Sequence, residues 1–266
     1  MSDTLAKTIR ETLEGGRAGA VVFLLREGDG LMPHVARDAS DPLIDKAYGG
    51  DERYPMATFA AVLQPRLEGN LAVVARECDR RMFIELAKFN HLDLDRIVII
   101  GLPCSQALAD ACACDHPTPA DSILPALAQP VVSTEDGLPE TVPERLEFWM
   151  DNFKECIRCY GCRNVCPLCF CKECALDKED LTGTGVFPPD IPVFHIIRAL
   201  DMADRCIDCG MCENVCPAKI PLRTLYRQMR RLVKETFGYE PGLDVNEKSP
   251  FGELGDPERL GGVMHE

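Results

Sequence analysis

The sequence predicts two modules: an α/β N-terminal domain with a small parallel sheet, and a mostly α-helical C-terminal domain. Three observations lead to this prediction. The 266 residues exceed the usual size of one domain, and short apolar runs alternate with amphipathic segments in the first half. Helical patterns without period-two alternation fill the second half. We expect the α/β domain over 1–130, a linker over 131–143, the helical domain over 144–238 and an extended tail over 239–266.

The N-terminal domain should begin with a helix over 4–13 that ends at a glycine pair, followed by a strand over 18–25. Apolar runs over 71–76 and 96–100 predict two further strands, with a helix over 80–89 between them. Because this crossover is short, the two strands should be parallel and their connection right-handed.

Two cysteines follow the carboxyl ends of these strands. Cys78 comes after the first and Cys104 after the second. Ligands of open α/β sheets bind at such ends, so we expect both thiols to face one crevice. The crevice would hold a cluster, a flavin such as FAD, or no cofactor, and no G-x-G-x-x-G or P-loop pattern decides among these.

The C-terminal half begins after a stretch over 117–143 that is rich in Pro, Ala, Ser, Thr and acidic residues, a composition typical of a surface linker. Beyond it, helical patterns cover 144–153, 193–203 and 222–237, and Gly238 marks the end of the last helix. The tail that follows is rich in Gly, Pro and acidic residues and is expected to wrap a partner or to lack stable structure.

Charge and hydropathy exclude several classes of function. The net charge of −14 would repel a nucleic-acid backbone. No apolar run approaches the roughly 20 residues of a membrane span, and the first residues lack the pattern of an export signal. We therefore expect a cytoplasmic protein, in which 15 cysteines indicate metal ligands before disulfides.

Eight of the cysteines form two copies of one motif. The spacing C-x2-C-x2-C-x3-C-P occurs at Cys156, Cys159, Cys162 and Cys166, and again fifty residues later at Cys206, Cys209, Cys212 and Cys216. This is the spacing of bacterial ferredoxins, in which three thiolates bind one [4Fe-4S] cluster and the fourth binds the other. We expect one cluster on Cys156, Cys159, Cys162 and Cys216, and a second on Cys206, Cys209, Cys212 and Cys166.

Zinc is the alternative metal, because its structural sites also use C-x2-C pairs. A zinc ribbon, however, has no need of a triple C-x2-C-x2-C followed by a cysteine-proline pair, twice over. The spacing therefore favours iron–sulfur clusters over zinc, and the reducing compartment disfavours disulfides.

Seven cysteines remain outside the motifs: Cys78, Cys104, Cys112, Cys114, Cys169, Cys171 and Cys174. The dense run from Cys166 to Cys174 and the close pair Cys112 and Cys114 suggest a third [4Fe-4S] cluster, drawn from Cys104, Cys112, Cys114, Cys169, Cys171 and Cys174. The alternative is that some of them are small buried hydrophobes.

Two further features allow two interpretations each. His195 lies in an apolar helical pattern, where it is either a hydrogen-bonded core histidine, the favoured interpretation, or a residue that tunes a cluster. The basic residues of the last helix form either a solvated face, again favoured, or a docking face for an acidic partner. They are Arg223, Arg227, Arg230, Arg231 and Lys234.

The residues assembled above resemble two known families. The first half resembles the beta subunits of deazaflavin-reducing hydrogenases and formate dehydrogenases, through 20–23, 78–90 and especially Ile99-Ile100-Gly101-Leu102-Pro103-Cys104. The segment 193–222 resembles the helical dicluster ferredoxin module of heterodisulfide reductase and succinate dehydrogenase iron–sulfur subunits. The run 156–174 is similar to iron–sulfur subunits that accompany formate dehydrogenases in anaerobes.

The motifs and the resemblance together predict an iron–sulfur electron-transfer subunit of a cytoplasmic anaerobic redox complex. It would relay single electrons between a catalytic subunit and an acceptor subunit, of formate dehydrogenase, hydrogenase or heterodisulfide-reductase type. The alternative is a flavin-containing beta subunit that itself oxidises or reduces a two-electron carrier. The resemblance implies FAD in the hydrogenase-type subunit, and this sequence departs from that family where the dicluster module stands in place of the later flavin-binding region. No hydrolytic motif is present, so we nominate no catalytic residue.

Overall fold

A computed structural model of the chain describes residues 2–131, 137–182 and 191–251. The chain separates into two compact units, Met1–Thr134 and Glu135–Glu266. Parts of the predicted linker and of the predicted tail, residues 132–136 and 252–266, lie outside the described residues.

Unit 1 contains a four-stranded sheet in the order β2-β1-β3-β4. Its strands are β1 (Ala20–Glu27), β2 (Gly30–Ala36), β3 (Leu71–Ala75) and β4 (Ile97–Gly101). Its α-helices are α1 (Ser2–Glu14), α2 (Met56–Leu63), α3 (Glu77–Lys88) and α4 (Gln106–Cys112), with 3-10 turns at Pro42–Lys46, Gln64–Arg66 and Leu94–Arg96.

The apolar runs of the sequence form the centre of this sheet. All five residues of β3 are buried, as expected for a strand covered on both faces. β3 pairs in parallel with β1 on one side and with β4 on the other, which confirms the predicted parallel pair. The helix α1 buries Leu5 and Ile9 in the same core as Val21 of β1.

The sheet is mixed, because β2 adds to β1 as an antiparallel hairpin. This strand was not predicted. Along β2 only Ala36 is buried, so the strand lacks the strong apolar signal that marks its neighbours. The α/β fold class is nevertheless confirmed, with the parallel strands β1, β3 and β4 forming most of the sheet.

Unit 2 is helical over its described residues. Its helices are α5 (Val142–Lys154), α6 (Gly161–Asn164), α7 (Glu179–Thr182), α8 (Ile191–Asp201), α9 (Met211–Asn214) and α10 (Leu222–Phe237), with a 3-10 turn at Ala175–Asp177. The start of α5 is fixed by a capping box between Thr141 and Glu144. α10 ends at Gly238, whose φ of 67° is the left-handed conformation that glycine adopts without strain. The three long helices confirm the sequence prediction of a helical second half.

Within the described residues, no helix combines the length and the apolar character that crossing a bilayer requires.

Candidate metal centre

The two cysteine motifs adopt the same backbone conformation. In the first C-x2-C gap of each motif, Arg158 and its counterpart Asp208 have φ of 50° and 61°. In the second gap, Tyr160 and its counterpart Gly210 have φ of 58° and 74°. Left-handed residues at matching positions turn the chain in the same way in both loops. The internal duplication therefore extends from the sequence to the loops.

Matching hydrogen bonds complete each loop. A short helix carries the third cysteine of each motif, α6 in the first motif and α9 in the second. The amide of Cys166 donates to the carbonyl of Arg163, and the amide of Cys216 donates to that of Glu213, both at 3.2 Å. The fourth cysteine of each motif is thereby held by the helical turn that carries the third.

The thiols of the two motifs interact electrostatically. Burial raises the pKa of Cys156, and the charges of Cys216 and Cys159 raise it further. A hydrogen bond with Cys169 and burial raise the pKa of Cys166, and the charge of Cys209 raises it further. In both cases the interaction joins the fourth cysteine of one motif to a thiol of the other.

Burial raises the pKa of several motif thiols, namely Cys156, Cys162, Cys206 and Cys212. A buried thiolate is costly unless a positive centre compensates its charge, and thiolates ligate iron. Four such groups in one helical unit form a donor set that suits a cluster with several irons. Among the described residues, no three His, Cys, Asp or Glu side chains are grouped so as to hold a single metal ion.

Arg198 on α8 lies between the motifs. It is 2% exposed, and its charge opposes the burial that raises the pKa of Cys162 in the first motif and of Cys212 in the second. Its Nη1 donates to the hydroxyl of Tyr226, and its Nε has no hydrogen-bond partner among the described residues. Sequence reasoning missed this residue, although an arginine inside the apolar stretch of α8 was the available signal.

The basic helix α10 is tied to the second motif and to the chain beyond it. Arg223 and Arg227 donate to the carboxylate of Asp208, with Nε–Oδ distances of 2.9 and 2.6 Å. Arg230 and Lys234 both pair with Glu240. The prediction of a solvated face is therefore wrong for Arg223, Arg227 and Arg230, whose side chains are largely buried in ion pairs, whereas the side chain of Lys234 is 64% exposed. Asp208 lies 15 residues from Arg223 and 19 residues from Arg227 in the sequence, so the helical pattern alone could not reveal these ion pairs.

His195 is buried at 1% exposure. Neither of its ring nitrogens has a hydrogen-bond partner among the described residues, so the prediction of a hydrogen-bonded core histidine is wrong. The ring stacks on Phe153 with a centroid distance of 4.4 Å and meets Phe194 edge-on. Burial lowers the pKa of His195 to about 4, so the ring is neutral near pH 7.

The remaining cysteines fall into two separate groups. Cys169, Cys171 and Cys174 line one cavity of unit 2. In unit 1, burial raises the pKa of both Cys104 and Cys114, and the charge of Cys112 raises both further. The candidate ligands of a third cluster are thus divided between the units.

The crevice predicted at the ends of β3 and β4 contains an arginine. Arg76, directly after β3, reaches across to Cys104, with an Nη1–Sγ distance of 3.5 Å. Burial raises the pKa of Cys104, and the charge of Arg76 opposes this. That Cys78 faces the same crevice, and that a cofactor binds there, stay predictions.

The duplicated thiol motif has the ligand pattern of an iron–sulfur protein, and comparison with known proteins agrees. Residues 201–221 match the family model of the 4Fe-4S binding domain. This stretch includes all four cysteines of the second motif, so the chain carries a binding motif for at least one [4Fe-4S] cluster.

Relatives give a more particular likeness. Over 99 residues, 37% of the chain, it is 44% identical to the F420-dependent formate dehydrogenase subunit beta of Methanocaldococcus jannaschii. It is 48% identical over 99 residues to the F420-dependent formate dehydrogenase 1 subunit beta of Methanococcus maripaludis. The chain spans about a quarter of the length of these relatives, 26% and 25%.

These relatives confirm the resemblance to the beta subunits of deazaflavin-dependent enzymes, since F420 is a deazaflavin. The resemblance of the C-terminal module to heterodisulfide reductase stays a prediction.

Proposed function

We propose that this chain is the iron–sulfur electron-transfer subunit of a formate dehydrogenase complex. It would hold two [4Fe-4S] clusters and pass single electrons between a catalytic and an acceptor subunit. The observation that carries the proposal is the duplicated motif, whose two loops have left-handed residues at matching positions and whose fourth cysteines interact electrostatically with the opposite motif.

Crossed ligation supplies the physical basis of the relay. Each cluster would receive three thiolates from its own loop and one from the other loop, so neither can move independently of its neighbour. Electron transfer between fixed centres then depends on their separation and surroundings, which the helical unit sets. The bound clusters would supply the one-electron redox chemistry, and the chain supplies ligands, burial and the charge of Arg198.

The formate dehydrogenase context rests on the relatives, whose names state both the enzyme and its dependence on F420. Hydrogenase and heterodisulfide-reductase complexes are the other contexts that the sequence suggests. Co-purification of the chain from its native cells under anaerobic conditions tests this part. We expect a formate-oxidising subunit in the purified complex, and its absence alongside a hydrogenase subunit would contradict the assignment.

A second candidate function is favoured by the same names, because an F420-dependent enzyme exchanges hydride with a two-electron carrier. A flavin would be needed to divide that pair of electrons. The place for it in this chain would be the crevice beside Arg76 and Cys104.

Flavin analysis of anaerobically purified full-length chain separates the two functions. The relay predicts iron and acid-labile sulfide in equal amounts, with no tightly held flavin. One FAD per chain, reducible by the deazaflavin, would replace the relay with the flavin-containing beta subunit.

A further inference from the structure

Unit 2 contains a cavity of about 230 Å³ lined by three thiols that belong to neither motif, those of Cys169, Cys171 and Cys174. The volume is several times the roughly 30 Å³ that one water molecule occupies in the liquid. The cavity therefore has room for an occupant with several atoms.

The segment that carries these thiols is anchored at both ends. The amide of Cys169 donates to the carbonyl of Cys166 at 3.1 Å, and the amide of Asp177 donates to that of Cys174 at 3.0 Å. Leu168 and Leu176, just outside the segment, are buried. Between these anchors Cys171 is exposed, which is unusual for a cysteine that serves only as a small core hydrophobe.

The same cavity is lined by three arginines, Arg163, Arg198 and Arg205. Arg198 Nη2 lies 3.7 Å from the sulfur of Cys169, and the Arg205 guanidinium lies over the Phe170 ring at 5.4 Å. A cluster ligated by thiolates carries net negative charge, and partly buried charge must be compensated. The arginines place that compensation around the thiols.

We propose that this cavity binds a third iron–sulfur cluster through Cys169, Cys171 and Cys174, with the Asp201 carboxylate, which also lines the cavity, as a candidate fourth ligand. The proposal goes beyond the two-cluster relay, which needs only the duplicated motifs. The amide of Cys169 donates to the carbonyl of Cys166, an expected ligand of the second cluster, so the third cluster would adjoin that centre.

Native mass spectrometry and iron analysis of anaerobically purified full-length chain test the proposal directly. Three clusters correspond to about 12 irons per chain and two clusters to about 8. Cys171→Ser/Cys174→Ser should lower the count by about 4 irons while the signals of the two motif clusters persist after reduction. Lys172→Ser changes the same exposed loop without removing a thiol and should leave the iron content unchanged.

Wild-type chain with about 8 irons, or an iron count unchanged in the double variant, would overturn the proposal. Zinc bound at this cavity in the wild-type chain, in place of the third cluster, would do the same. Cys169→Ser should lower the count like the double variant; if it instead abolishes the second motif's signal, Cys169 is a ligand of that cluster and the proposal fails. Cys159→Ser/Cys209→Ser removes a ligand from each motif, so failure of the two-cluster relay is seen separately.

Discussion

Arg198 Nη2 donates a hydrogen bond of 2.8 Å to the backbone carbonyl of Cys162. This bond fixes a buried positive charge against the loop of the first motif, while the same guanidinium contacts Tyr226 of α10 behind the second. One side chain therefore joins the two motifs and adds its charge to both.

Replacing Arg198 by Gln should lower the reduction potentials of both motif clusters. Reduction adds negative charge, which a nearby buried cation stabilises, and an effective dielectric near 20 gives a change on the order of 50 mV. Arg198→Lys keeps the charge and should restore most of the potential. Redox titrations followed by EPR measure the effect, with exposed Arg231→Gln as the control. Equal potentials in the wild type and Arg198→Gln would show that the charge does not act on the clusters.

Asp208 holds the second motif against α10. Asp208→Asn keeps a residue that tolerates the left-handed φ of 61° but removes the charge that pairs with Arg223 and Arg227. Because these side chains are largely buried, we expect the free energy of unfolding to fall by about 1–3 kcal/mol. We also expect iron to be released faster to a chelator. Asp151→Asn removes an exposed pair with Lys154 and should leave the free energy of unfolding nearly unchanged. Equal rates of iron release in the two variants would contradict the role of Asp208.

Asp79 makes the stability of α3 dependent on pH. Its carboxylate accepts a hydrogen bond from the Arg76 amide at 3.0 Å, while burial raises its pKa from 3.8 to about 6. The folded state therefore binds the proton more tightly than the unfolded state does. The stability that protonated Asp79 adds to the folded state is fully present below pH 3.8 and is lost as the pH rises through about 6. The difference between the two pKa values corresponds to about 3 kcal/mol.

Asp79→Asn should remove this dependence. Hydrogen-exchange protection factors over residues 77–88 are expected to fall between pH 4.5 and 7.5 in the wild type and to stay level in the variant. The exposed Asp95→Asn should behave like the wild type. A variant that loses protection in parallel with the wild type would assign the pH dependence to another group.

The sequence could predict the elements whose signal is local. Apolar runs marked β1, β3 and β4, and amphipathic patterns marked α1, α5, α8 and α10. β2 escaped prediction because its residues are mostly half-buried or exposed along an edge. The cysteine spacing identified the candidate centre, since three thiols two residues apart are fixed by the local chain.

What the sequence could not provide are the contacts between distant residues. Arg198 and Cys162, which are hydrogen-bonded, lie 36 residues apart in the sequence, and Asp208 and Arg227 lie 19 residues apart. The convergence of Cys169, Cys171 and Cys174 on one cavity depends on the arginines and leucines around them, which no spacing rule encodes.

Crossed ligation is the central claim, and iron retention in two matched double variants tests it most directly. Cys156→Ser/Cys216→Ser removes two ligands from one predicted cluster, whereas Cys156→Ser/Cys166→Ser removes one ligand from each. Both variants lose two motif thiols, so the comparison is balanced. Relative to anaerobically purified wild type, we predict a loss of about 4 irons per chain in the first variant and about 8 in the second. The reverse order would show that each motif binds its own cluster, and equal losses would contradict the two-cluster arrangement.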